Sequence, residues 1–149
     1  MKEDYIISIV GKQTINGEQD KIELTTIGSY ITKGKNRYII YKEYDEDYPK
    51  RKIRSTLKIE DDKIVTMIRN GENPTRLMLE RGKRHLCYYN TGYGSLMIGV
   101  FADTIKVNLN QDGGTINVRY TIDFNSDFNS LNELYIKVSS KENDCEGKN

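Results

Sequence analysis

The sequence predicts an all-β domain, an antiparallel up-and-down closed barrel of about eight to ten strands. Three observations carry that prediction. The first is strict alternation. Ile105, Val107 and Leu109 interleave with Thr104, Lys106 and Asn108, and Ile116, Val118, Tyr120, Ile122 and Phe124 interleave with Thr115, Asn117, Arg119, Thr121 and Asp123. A period of two places every apolar residue on one face of a strand. The second is the spacing of turn signals, which leaves links of hairpin length almost everywhere. The third is the lack of any apolar stripe at i, i+3, i+4, i+7 over three turns, which confines helix to short loop turns.

The elements follow in order. Residues 5–12 open the series, with Asn16-Gly17 near the next bend. Residues 20–32 form a long strand with Ile22, Leu24 and Thr26 set against Glu23 and Thr25. Lys33-Gly34-Lys35-Asn36 turns it into 37–44, and 45–50 is a polar loop because Pro49 and its charges oppose a strand. Strands 53–60 and 63–70 flank Asp61-Asp62, and 70–74 is a further loop. Strands 75–81 and 84–90 flank Gly82-Lys83, which suits a type II′ turn and sets Leu79 opposite Leu86 and Leu77 opposite Tyr88. Segment 93–102 is apolar on both faces, which calls for cover on both sides or for a bend or bulge at Gly99. Asp112-Gly113 reads as a type I′ turn with positive φ at both residues, pairing Leu109 with Ile116, Val107 with Val118 and Ile105 with Tyr120. Residues 125–130 turn the chain into a last strand, 133–138. Residues 1–139 are therefore expected to form a single barrel, and 140–149 a flexible polar tail.

A meander of this length must close or fold over to protect its edges. A Greek-key sandwich needs long crossings, and only the loops at 45–50 and 70–74 offer them. The 149 residues suffice for one domain with a core. The hydrophobic fraction is 36% and the charged fraction 30%, but 11 Tyr and many β-branched residues oppose disorder. Net charge is +1, so no global field steers the chain toward nucleic acid or an anionic membrane. Basic clusters at 50–52 and 81–85 read as a solvated loop and a charged hairpin end. No apolar segment has the length of a signal-peptide h-region or a membrane span, so a cytoplasmic location is expected.

Cys87 lies in a strand and Cys145 in the tail, and a disulfide between them is not expected in a reducing compartment. His85, the single histidine, shares a strand face with Cys87. Structural zinc takes four ligands and no second Cys or His pair exists, so no metal is expected. No Ser-His-Asp or Cys-His set and no phosphate-binding glycine loop appears, and Gly92-Tyr93-Gly94 reads as a turn. No cofactor is implied.

A set of segments carries a likeness to a known family. They are Gln13, 22–28 (IELTTIG), 38–43 (YIIYKE), 56–60 (TLKIE), Arg69-Asn70-Gly71, 89–94 (YNTGYG) and 113–120. In this order and spacing the chain resembles the YwiB-like proteins of Gram-positive bacteria, classed as domain of unknown function 1934. The resemblance covers nearly all of the chain before Ser139. It implies a calycin-like barrel, similar in shape to lipocalins and fatty-acid-binding proteins, and no activity.

Chemistry in such a barrel depends on which polar residues point inward. An ammonium is costly to bury, so Lys42 faces water and alternation turns Ile39, Tyr41 and Glu43 inward. An inner carboxylate needs a partner, and Arg69 is the candidate. A two-residue turn at Asp61-Asp62 would set Arg69 opposite Arg54, an unfavourable pair. A three-residue turn brings it beside Ser55, and that register is preferred. The family pattern adds Gln13, Glu23 and Tyr89. Convergence of Gln13, Glu23, Tyr41, Glu43, Arg69 and Tyr89 would form either a pocket for a small, partly apolar ligand or a hydrogen-bond network that fixes closure. Two other functions stay open. One is an enzyme with Glu23 or Glu43 as general base and Arg69 holding an anion. The other is a protein- or RNA-interaction module using Tyr88 and Tyr89 beside Arg84, although the neutral net charge counts against nucleic acid.

Overall fold

Ten strands follow one another in a computed structural model that describes residues 4–44, 52–71, 74–90 and 93–141. They are β1 (Tyr5–Ile15), β2 (Glu18–Lys33), β3 (Asn36–Tyr44), β4 (Lys52–Glu60), β5 (Ile64–Arg69), β6 (Thr75–Glu80), β7 (Arg84–Asn90), β8 (Ser95–Asn110), β9 (Gly113–Phe124) and β10 (Asp127–Ser140). Each hydrogen-bonds its chain neighbour except across β6 and β7, and β10 pairs back onto β1. The result is an all-antiparallel up-and-down barrel, closed everywhere but at one seam. Lys141 donates its amide to the Asp4 carbonyl, at 2.9 Å, just past the expected end of the barrel at 139. The rest of the expected tail, the loop at 45–50 and Cys145 lie outside the described residues.

The seam has a local cause. The expected type II′ turn at Gly82-Lys83 is not formed. Lys83 donates to the Glu80 carbonyl at 3.1 Å, which makes Arg81 and Gly82 the central residues, and Gly82 takes φ of 78° at the second of them. That is the type II pattern, whose twist splays the strands it joins. β6 and β7 therefore part after the single bridge Glu80–Lys83, and the expected pairs Leu79–Leu86 and Leu77–Tyr88 do not exist. The turn instead leans onto β8, with Gly82 donating to the Ala102 carbonyl at 2.8 Å.

The β8–β9 hairpin forms where expected, with its turn one residue earlier. Asn110 pairs with Gly113, so Gln111-Asp112 is the loop, and Asp112 donates its amide to Asn110 Oδ1 at 2.8 Å. Positive φ falls on Gly113 and Gly114, not on Asp112. The pairs become Leu109–Gly114, Val107–Ile116 and Ile105–Val118. A shift of two keeps every apolar side chain on the inner face, so the core survives the correction. Segments 93–102 and 104–109 join into one strand. Ala102 and Ile105 are both buried, which strict alternation forbids, and a bulge at Asp103 supplies the extra residue. Gly99 marks no bulge, since its pairings with Leu86 and Asp123 run in continuous register. A Cβ there would strike the Arg84–Asp123 ion pair lying across it.

The core is the inner row of each strand, with Ile7, Ile39, Ile59, Val65, Leu79, Val100, Ile116 and Ile136 fully buried. One end of the barrel is capped. The Tyr5 and Tyr30 rings meet edge to face at 5.4 Å, and Tyr30 Oη donates across the barrel to the Asn110 carbonyl at 2.7 Å. The other end carries the β1–β2 and β9–β10 turns, and there the inner rows stay wet: Ile22 is 70% exposed and Leu96 40%.

Candidate functional site

Two polar clusters face inward near the open end. On β3 the inner row runs Ile39, Tyr41, Glu43, and Tyr41 pairs with Ser55 on β4, which pairs with Arg69 on β5. The last pairing depends on the turn. Asp61 and Asp62 take φ of 51° and 55°, Glu60 pairs with Ile64, and a three-residue loop results, as the sequence argument preferred. Ser55 Oγ donates to Glu43 Oε2 at 2.8 Å, and Arg69 Nε lies 3.4 Å from the same oxygen. Burial pushes the Tyr41 phenol up to about 12, helped by the Glu43 charge and opposed by the Ser55 hydrogen bond and Arg69. These four side chains, with Leu57, Met67 and Leu77 below them, line a hollow of about 100 Å³. The Arg69 side chain is 53% exposed, so its remaining N–H groups are reachable from solvent.

The second cluster lies on β1, β10 and β9, where Gln13, Asn132 and Tyr120 are in register. Gln13 Nε2 donates to Asn132 Oδ1 at 3.0 Å, and Asn132 Nδ2 donates to the buried Ser130 Oγ at 3.0 Å. Burial alone pushes the Tyr120 phenol up to about 12. Gly11, Asp20 and Ile22 complete a hollow of about 220 Å³ beside them. Asn132 and Ser130 are not sequence candidates, because a last strand of 133–138 stops short of them, whereas β10 begins at Asp127. Continuing the inner row Val138, Ile136, Leu134 backwards by alternation reaches both.

Glu23 is not in the barrel. The inner row of β2 runs through Leu24, Thr26, Gly28 and Tyr30, so Glu23 points outward opposite Val10, where it is exposed and pairs with Lys21 at 2.9 Å. Tyr89 sits on the inner row of β7 at the open end, is 43% exposed, and lines neither hollow. Of the six sequence candidates, Tyr41, Glu43 and Arg69 come together, and Gln13 belongs to the other cluster. The stacking platform at Tyr88, Tyr89 and Arg84 is not assembled. Neighbouring Tyr88 and Tyr89 point to opposite faces, and Arg84 is engaged by Asp123 through two hydrogen bonds of 2.9 and 2.6 Å. Those bonds hold the Asp123 carboxyl below the usual carboxylate range. His85 Nε2 meets Glu80 Oε1 at 3.1 Å, and Lys83 approaches the other Glu80 oxygen at 3.2 Å. Among the described residues no three His, Cys, Asp or Glu side chains gather as metal ligands.

Comparison with known proteins fits this architecture. The Bacillus subtilis protein described as uncharacterized β-barrel protein YwiB is 24% identical over 138 residues, which is 91% of this chain and 94% of the relative. The crystal structure of that B. subtilis protein superposes with a TM-score of 0.79 at 20% identity, covering 94% of each chain. The profile of the domain of unknown function DUF1934 matches residues 7–136, and the chain belongs to that family.

Proposed function

We propose that this barrel binds a small, partly apolar ligand at its open end, in the manner of a calycin-like carrier, and that the protein works in the cytoplasm. The carrying observation is the Tyr41–Ser55–Glu43–Arg69 cluster around a hollow. Glu43 and Ser55 offer acceptors, Arg69 offers unused donors, and Leu57, Met67 and Leu77 offer an apolar floor. A few convergent polar groups over an apolar lining is the usual make-up of a ligand pocket. Drug-sized ligands occupy about 300–1,000 Å³, so a hollow of about 100 Å³ admits the head of a ligand whose body lies in the mouth. Native mass spectrometry of protein purified from cells tests this. Co-purified small molecules that disappear in Arg69→Ala and Glu43→Gln support the proposal. Protein of bare mass in every preparation, with no metabolite shifting its melting temperature, overturns it.

A further inference from the structure

A third hollow, larger than the two inner ones, is on the outside. A groove of about 600 Å³ crosses the outer wall over β1, β10, β9 and β8, and its lining includes Val10, Lys12, Lys106, Arg119, Glu133 and Tyr135. The wall is concave there for two physical reasons. A barrel of twisted strands is a hyperboloid, so its outer surface is waisted along the strands. The bulge at Asp103 adds local twist to β8 at the edge of the groove.

The side chains are ordered by register. Val10 pairs with Tyr135 and Tyr135 with Asn117, which makes a low strip across the floor. Lys12 lies to one side of that strip, opposite Glu133 and Lys21, and Asn117 pairs with Lys106 at its far end. Lys12 and Lys106 make no ion pair among the described residues. Arg119 is only loosely held, with Nε at 3.6 Å from Asp103 Oδ2 and 4.0 Å from Glu133 Oε1. Tyr135 is 38% exposed, so much of its ring is covered only by solvent.

We infer that this outer groove is a binding site, separate from the barrel interior, for an anionic molecule of metabolite size with a flat apolar body. Phosphate or carboxylate oxygens would meet Lys12, Lys106 and Arg119, and the body would lie on Tyr135 and Val10. The volume falls within the usual range for small-molecule pockets, which neither inner hollow reaches. Lys12 and Lys106, without an ion pair among the described residues, together with Arg119 outweigh Glu133 in the lining, which favours an anion over a neutral or cationic guest.

The test is titration of the full chain with 1-naphthyl phosphate, followed through backbone amide shifts. Shifts centred on Lys12, Lys106, Asn117 and Tyr135, saturating below about 10 mM, are expected. Lys12→Gln with Lys106→Gln, and separately Tyr135→Ala, should weaken binding about tenfold, whereas Lys63→Gln, in the β4–β5 turn away from the groove, should leave it unchanged. Inorganic phosphate should bind at least about tenfold more weakly, and 1-naphthoate in place of the phosphate separates the two anion chemistries. Shifts confined to the open end, or affinity unaffected by the lysine pair, would overturn the site. Equal binding of inorganic phosphate would overturn the role of the apolar strip.

Discussion

Tyr41 and Tyr120 lie in different clusters, yet each phenol is pushed up to about 12, first by burial. Unfolded, each would titrate at about 10. Their neutral forms therefore support the fold fully below that pH, and this support is lost as pH climbs through the folded value. Tyrosinate absorbance should show a late-titrating component that shrinks by one residue in Tyr41→Phe and again in Tyr120→Phe. A titration complete near the ordinary tyrosine range would contradict the buried placement. Asp123 behaves oppositely. Arg84 lowers its carboxyl, so its contribution is intact above the ordinary aspartate pKa and fades as pH falls through the lowered value. Asp123→Asn should flatten the acid limb of the urea-midpoint curve. In the inner cluster, Ser55→Ala should cost about 1 kcal/mol, because it strips a buried donor from Glu43. Arg69→Ala should cost less than about 1 kcal/mol, since its ion pair is half in water. At this scale the sequence was readable wherever one expensive group forced a choice. Lys42 could not go inward, so Glu43 did, and like-charge repulsion with Arg54 moved Arg69 beside Ser55. Glu23 enters the candidate set only through the family pattern, whereas its own strand, alternating with Leu24 and Thr26, points it outward.

Strand order and strand faces are legible, and so is the three-residue loop at Asp61-Asp62, but two other turns are legible as places and not as geometries. Asp112-Gly113 and Gly82-Lys83 both satisfy a primed-turn pattern, yet in each case the glycine sits later in the turn than the pattern assumes. The reason is competition from neighbours that a two-residue signal omits. Gly114 is needed where the chain passes the Asn108 carbonyl, and Ala102 captures the Gly82 amide. Gly114→Ala meets both a φ of 139° and a backbone clash, and should cost more than about 2 kcal/mol by urea denaturation. Gly34→Ala meets open space at φ of 62° and should cost only about 1 kcal/mol. Equal costs would show that the close approach at Asn108 is absent. The bulge at Asp103 was invisible as a residue type. It is visible only as a conflict between two apolar rows, Ile98–Val100–Ala102 and Ile105–Val107–Leu109, that differ in parity.

Across the whole molecule, protection should follow the ladders. Amides of β1, β9 and β10, paired on both sides, should exchange with solvent slowest, and those of β6 and β7 that face the seam should exchange fastest. Uniform protection around the ring would mean that β6 and β7 are paired after all. The seam also has a mechanical consequence. Nine ladders join ten strands, so the cylinder is a split ring. A complete ring can change girth only by breaking backbone hydrogen bonds along a full strand. Here the girth can change at one joint, where the type II turn and the Glu80–His85 and Glu80–Lys83 contacts act as the clasp, and every ladder elsewhere stays intact.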